Sequence, residues 1–332
     1  MIIGIDTSNY KTSVAVTDRE DHIVFERSEY LHVDKGKRGL RQSEAFFMHS
    51  NRLPDQINDL FSHAEPEAIE AIGVSTRPRR VEGSYMPCFL AGINAAKEIA
   101  AALKIPVYEF SHQEGHAAAV IVSCSEDSSP AEADDGCSCL LFHLSGGTTE
   151  FLLCTPDEKG YNLEIIGGTK DISAGQLIDR AGVAMGFGFP SGMYLDRLAA
   201  DYCGSVKTAD TIKPVRIKDG WFNLSGTEAQ MLRALDSDDP DHAALSYVLF
   251  DCIASLLARS AAELTAQYGV KRVYMAGGVA SSAFIRKRIH KHLASNGASH
   301  REIIFGEPAL SGDNAVGTAF LAARQHYKNI QQ

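Results

Sequence analysis

The sequence predicts an α/β protein built from two duplicated domains, on three observations. Its 332 residues exceed what one ordinary hydrophobic core fills and suit two domains of similar size. Residues 1–17, MIIGIDTSNYKTSVAVT, read as an apolar strand, a turn of small hydroxyl residues and a second, alternating strand. Residues 139–155, CLLFHLSGGTTEFLLCT, repeat that design. Each stretch is a β-hairpin whose tip carries Ser, Thr, Gly or Asn with free backbone N–H groups, a concavity suited to phosphate.

Two such hairpins, each opening an α/β segment, match the pattern of the actin, sugar-kinase and Hsp70 superfamily, with a nucleotide cleft between the domains. Between them, AIEAIGVSTRP (68–78) gives a strand and then a loop, and CFLAGINAAKEIAAAL (88–103) a helix. The short strand IPVYEF then feeds FSHQEGHAAA (110–119). Residues 123–136 are polar, acidic and poor in apolar side chains, which predicts a flexible linker. The expected domains are therefore 1–122 and 137–332, with the last helix packing back on the first.

In the second half, AGQLIDRAGVAMGF (174–187) is helical and GFPSGMYLDRLAA is a Gly/Pro loop entering another helix. Residues 244–269 give the longest helix, apolar at three- and four-residue steps and stopped by Gly269 as a C-cap. VKRVYMAGGVASSAFIRKRIHKHL then reads as a buried strand, a Gly-Gly turn and a helix. Diglycine directly after an apolar strand lets backbone approach a flat ligand closely. The final stretch, SGDNAVGTAFLAARQHY, opens a helix of small residues with Ser311 or Asp313 near its start.

Hydrophobic content of 45% with 22% charged residues is that of a soluble globular protein. The opening MIIGIDTS has neither a basic n-region nor an apolar span, so no signal or membrane segment is expected. Seven scattered cysteines, with only Cys137 and Cys139 close together, fit a reduced, cytoplasmic compartment. A net charge of −10 argues against coating nucleic acid unaided but leaves room for local basic patches. The candidates are Lys35, Lys37 and Arg38; Arg77, Arg79 and Arg80; and Arg286, Lys287, Arg288 and Lys291.

His112 and His116 stand at i, i+4, which puts them on one helical face, roughly 5–6 Å apart at Cβ and able to share one ion. Surface or capping roles are the commoner fate of such pairs. A zinc peptidase needs glutamate directly after the first histidine. Gln113 holds that place and Glu114 follows it, so that activity is excluded.

Taken together, GIDTSNYKTSVAV, SHQEGH, LSGGTTEFLL, DISAGQLIDRAG, GFPSG, MAGGVASS and SGDNAVGTA resemble one family in its own order, from residue 2 to about 325. That family is the transferase subunit of tRNA threonylcarbamoyladenosine synthase, long labelled glycoprotease or O-sialoglycoprotein endopeptidase. The resemblance implies one divalent metal ion, iron or zinc, on His112, His116 and Asp313. It implies an adenine nucleotide, as ATP or an adenylate, against His143, Leu144, Ser145, Gly146 and Gly147. Asp179 would bond the ribose, Gly192 would let its loop approach the nucleoside, and Gly277 and Gly278 would line the adenine pocket, with Ser282 beside them. Lys11 and Ser145 are the candidate catalytic groups, for phosphate contact and for holding the leaving phosphate. The partners implied are the adenylate donor, tRNA, a paralogous dimer partner and an ATPase of the same pathway, with no membrane.

The chain also departs from the family. Tyr10 and Lys11 stand where an acidic pair is expected, Thr148 replaces a histidine and Ser282 an asparagine. The usual GPGLVGAL stretch reads RPRRVEGSYMP (77–87), which swaps flexible glycines for Arg77, Arg79, Arg80 and Glu82. These changes mark a divergent paralogue. The expected chemistry is transfer of threonylcarbamoyl from its adenylate to the exocyclic amine of a tRNA adenine beside the anticodon. Alternatives are carbamoyl transfer to a small molecule or protein thiol, and a non-catalytic paralogue supporting a partner enzyme. The histidine pair speaks against the scaffold and against a kinase of the same superfamily, which has no use for it.

Overall fold

The computed structural model describes the chain apart from Asn9 and residues 33–39, 124–136, 205–211, 296, 298–300, 308–309, 311–314 and 331–332. Asp313, Ser311, Lys35, Lys37, Arg38 and nearly all of the expected linker therefore lie outside the described residues. In chain order come β1 (Ile2–Asp6), β2 (Lys11–Thr17), β3 (Ile23–Tyr30), α1 (Gln42–Phe61), β4 (Ala71–Arg77), α2 (Phe89–Leu103), β5 (Val107–Ser111) and α3 (His112–Ser123). There follow β6 (Cys139–Leu144), β7 (Thr149–Asp157), β8 (Gly160–Thr169), α4 (Ala174–Ala184), α5 (Gly192–Asp201), β9 (Trp221–Phe222), α6 (Ser225–Leu235) and α7 (His242–Tyr268). Last are β10 (Arg272–Ala276), α8 (Ala283–Ser295), β11 (Glu302–Phe305) and α9 (Val316–Ile330). β3, α1, β8, β9, α6 and β11 fall in stretches for which the pattern raised no expectation.

The chain divides into two compact units. Unit 1 is Met1–Cys137 with Thr155–Leu163 and Ala309–Gln332; unit 2 is Ser138–Cys154 with Glu164–Pro308. The turn between β7 and β8 belongs to unit 1 for a local reason. Asp157 takes an ion pair from Arg80 at 2.6 Å, and a Cβ on Gly160 would stand 3.1 Å from Leu321.

The unit 1 sheet runs β3-β2-β1-β4-β5, with β1, β4 and β5 parallel and β2 antiparallel to both of its neighbours. β1 is apolar from Ile2 to Ile5 and buried throughout, because it lies mid-sheet with both faces covered. α2 packs on its Ile5 side, where Gly92 lies against Ile5 and Thr7, and α9 packs on its Gly4 side. A Cβ on Gly4 would stand 2.2 Å from the Ala315 carbonyl and one on Gly73 2.3 Å from that of Thr318, so both glycines are needed for α9 to lie flush on the sheet.

The unit 2 sheet runs β11-β10-β6-β7-β8-β9. Read from its other end, with β9 added at the edge, it repeats the unit 1 order strand for strand. Its core gathers around α7, which is capped by Asp241 and ended by Gly269 at φ +68°. By length and composition α7 could cross a bilayer, but 78% of its most apolar window is buried inside the protein.

Candidate active site

Three parallel strands of unit 1 end on one edge, and the first group of candidate residues is built there. β1 ends at Asp6, β4 runs on past Ser75 to Arg77, and β5 ends at Ser111, from which α3 starts at His112. Ser111 and Glu114 form the start signal of α3. Glu114 accepts the Ser111 backbone N–H at 2.8 Å and its hydroxyl at 2.7 Å, while its own N–H returns to Ser111 Oγ at 3.3 Å. The glutamate in SHQEGH is thus a buried cap.

α3 then presents both histidines on one face. His116 Nε2 lies 2.9 Å from His112 Nε2, and the rings meet edge to face. His112 Nδ1 lies 2.8 Å from Asp6 Oδ2. Asp6 is 1% exposed and accepts two further bonds, from the Ser8 N–H at 2.8 Å and the Ser75 hydroxyl at 2.7 Å. Burial pushes its carboxyl upward, but the His112 imidazole and these hydrogen bonds outweigh it and hold the group below the ordinary aspartate value. An ionised Asp6 can only accept, so the Nδ1 of His112 donates to it, and Nε2 is the ring nitrogen that faces His116.

This donor set fits a metal ion. Two imidazole nitrogens 2.9 Å apart can both bind one zinc at about 2.0–2.1 Å, and a carboxylate behind the first histidine is the usual outer support of such a ligand. Among the described residues, one further group of His, Asp and Glu side chains comes close enough to share an ion: Asp18, Glu20 and His22, in an exposed turn. Nothing there is buried or braced as Asp6 is.

The second group lies in unit 2 around a cavity of about 300 Å³. Gly146, Asp179, Gly192, Gly278 and Ser282 line it, with Ile178, Phe250 and Val279 among the apolar walls. Asp179 Oδ1 accepts the Ser191 N–H at 2.8 Å, which fixes the loop ahead of α5. Its neighbour Arg180 pairs with Glu228 at 3.2 Å instead.

Five other expected residues, His143, Leu144, Ser145, Gly147 and Gly277, do not line this cavity. At the tip between β6 and β7, the N–H groups of Ser145, Gly147 and Thr148 are engaged within the turn rather than free as expected. Ser145 Oγ accepts the N–H groups of Gly147 at 3.3 Å and Thr148 at 3.0 Å, and Ser145 N–H donates to the Thr148 carbonyl. His143 and Leu144 belong to β6, where Leu144 is fully buried, and neither lines the cavity. Gly277, at φ +97°, lies against the Leu144 carbonyl, where a Cβ would stand at 2.3 Å. Its work is therefore to bring β10 close to β6, and Gly278 alone of the diglycine reaches the cavity.

Asp196 is a residue that motif reading missed. It lines the same cavity, accepts a short hydrogen bond from the Ser282 hydroxyl, and takes the Phe284 N–H at 3.3 Å at the head of α8. Its signal was helical spacing, four residues beyond Gly192 on the same face of α5. Lys11 opens β2 with its ammonium 5.2 Å from the Tyr30 ring centre. Two of the basic runs are largely committed to structure. Arg288 pairs with Asp251, Arg286 donates to the Ala280 and Gly306 carbonyls, and Arg80 pairs with Asp157 and Glu114.

One five-strand order repeated in two sheets, the second with a further strand at its edge, gives an α/β protein with the actin and sugar-kinase fold. Solved structures agree on the fold. HypF from T. kodakarensis matches with a TM-score of 0.62 at 14% identity, over 99% of this chain and 47% of that one, so this chain spans about half of HypF. A ROK family protein from Streptococcus pneumoniae TIGR4 in complex with sucrose matches at 0.55 and 10% identity, over 100% and 99%. Within that class the chain belongs to the tRNA N6-adenosine threonylcarbamoyltransferase family, whose profile matches residues 24–320, and it is a transferase. The relative of that name from Thermotoga neapolitana is 25% identical over 336 residues, covering 100% of this chain and 94% of its own. The one from Syntrophotalea carbinolica is 30% identical over 265 residues, covering 76% and 71%.

Proposed function

We propose that this protein transfers a threonylcarbamoyl group from threonylcarbamoyl-adenylate to the exocyclic amine of a tRNA adenosine beside the anticodon. Family membership supports the reaction class. The observation that ties it to this chain is the histidine pair, convergent at Nε2 and braced by a buried, ionised Asp6.

In the transfer, the amine nitrogen forms a bond to the carbamoyl carbon. The bond from that carbon to the phosphate oxygen breaks, AMP leaves with the electron pair, and the amine gives up one proton. An exocyclic amine is a weak nucleophile, so positioning and charge stabilisation supply most of the acceleration. His112 and His116, with Asp313 as the third ligand, would hold a divalent iron or zinc ion. When bound, the ion supplies Lewis-acid stabilisation of charge developing on the donor oxygens. Asp6 keeps His112 in the tautomer that leaves Nε2 available. In unit 2, Asp179 and Asp196 bind the ribose hydroxyls, and Ile178, Phe250 and Val279 give the base an apolar seat. Gly146 and Gly278 bring backbone close to the nucleotide, with Ser145 holding the turn that carries the leaving phosphate. Lys11 contacts phosphate by exchanging the Tyr30 ring for an anion. The division into two actin-like domains, the paralogous dimer partner, the pathway ATPase and a cytoplasmic location belong to the same proposal.

A second reading, carbamoyl transfer from carbamoyl-adenylate to a small or protein acceptor, is raised by the loss of the family's glycines across residues 77–87. One assay separates the two. The protein is incubated with threonine, bicarbonate, ATP, the donor-forming synthase, tRNA and the family's partner proteins, and the tRNA is digested to nucleosides. Threonylcarbamoyladenosine is expected; its absence, with carbamoyl label on a soluble or protein acceptor instead, would establish the second reading.

A further inference from the structure

Arg77 is a residue that neither the fold nor the proposed metal site uses. It ends β4, the strand between β1 and β5, two residues beyond the Ser75 hydroxyl that bonds Asp6. Across the ladder it pairs with Ser111, the residue before His112, and the next carbonyl, of Pro78, accepts the Gln113 N–H at 3.1 Å. Its backbone is thus pinned on both sides to the start of the helix that carries the histidines. The carboxyl edge of parallel strands is where α/β sheets receive ligands.

The other arginines of this loop are already engaged. Arg80 bonds Asp157 at 2.6 Å and Glu114 at 3.4 Å, and Arg79 has partners of its own. Arg77 differs: its Nε is buried and has no hydrogen-bond partner among the described residues. A buried guanidinium nitrogen left unsatisfied is uncommon and calls for a partner supplied from outside. The guanidinium fork matches a planar oxoanion with two oxygens.

We propose that Arg77 is a specificity residue that binds the α-carboxylate of the transferred threonylcarbamoyl group. The inference rests on the transfer reading above. The donor carries two anionic groups, its phosphate and the amino-acid carboxylate on the opposite side of the reacting carbon. A bare carbamoyl group has no such carboxylate, so Arg77 also distinguishes the two readings.

The test is calorimetric titration with N-carbamoyl-L-threonine and with its primary amide, which keeps the shape but loses the charge. Wild type should bind the acid on the order of 10–100-fold more tightly, the span of one charge-assisted contact. Arg77→Gln should lose the preference and Arg77→Lys should keep part of it. Because Arg77 Nε has no hydrogen bond to lose, Arg77→Gln should melt like wild type without ligand. Equal binding of acid and amide, absent binding of the acid to wild type, or a preference that survives in Arg77→Gln would overturn the proposal. So would a loss of about one in the log–log salt slope of tRNA binding in Arg77→Gln, which would assign the side chain to a phosphate of the acceptor. If tRNA is never modified yet the acid preference depends on Arg77, the transfer reading fails and the Arg77 assignment stands.

Discussion

Single residues decide what the unit 1 edge can do, and they differ in how plainly the sequence announced them. The i, i+4 histidines were legible because helical spacing alone brings them together. Asp6 was not, because its role depends on β1 and β5 lying one strand apart, and that is tertiary information. Asp196 was within reach of spacing arguments but had no motif to flag it. Asp21 offers a test of the local electrostatics. It sits in the turn between β2 and β3 at φ +61°, where burial first and Asp18 second push its carboxyl up to about 6. A raised folded value means the protonated form stabilises the fold below the unfolded value of 3.8, and that contribution is lost as pH rises through about 6. Asp21→Asn, which tolerates a positive φ, should therefore raise stability by about 1–2 kcal/mol at pH 7–8 and change it little at pH 4. Thermal melts at both pH values check this, and a gain of equal size at both would contradict the assignment.

Elements were legible where apolar periodicity and caps coincide, as in β1, α2, α4 and α7. They were silent where the strand lies at an edge. β3 reads IVFERSEY and is largely exposed or half-buried, so it has no apolar face to betray it. The hairpin echo was visible, but the hydrogen bonding of its second tip was not, because a single serine hydroxyl closes the turn. α9 shows how glycines set element spacing. Gly317 crosses α3 at Gly115, where a Cβ would stand 1.8 Å from the Gly115 carbonyl oxygen. Backbone cannot yield as a flexible side chain can, so Gly317→Ala must move one helix and should cost about 2–3 kcal/mol. A melting temperature within a degree of wild type would mean that α3 and α9 do not cross so closely.

At the scale of the molecule, the repeat of strand order in two sheets was foreshadowed by two hairpins 138 residues apart, read from their starts at 1 and 139. The last helix was expected to return to the first domain, but the grouping of Thr155–Leu163 with unit 1 follows from contacts between segments far apart in sequence, which no local pattern encodes. The central claim is that the edge formed by β1, β4 and β5 is organised around a metal-holding histidine pair. Metal content per chain tests it most directly, in protein purified without chelator, for wild type and for the His112→Ala, His116→Ala double variant. The account predicts about one equivalent of iron or zinc in wild type and background in the variant, since two of the ligands are gone. Equal metal content in the two proteins would contradict it.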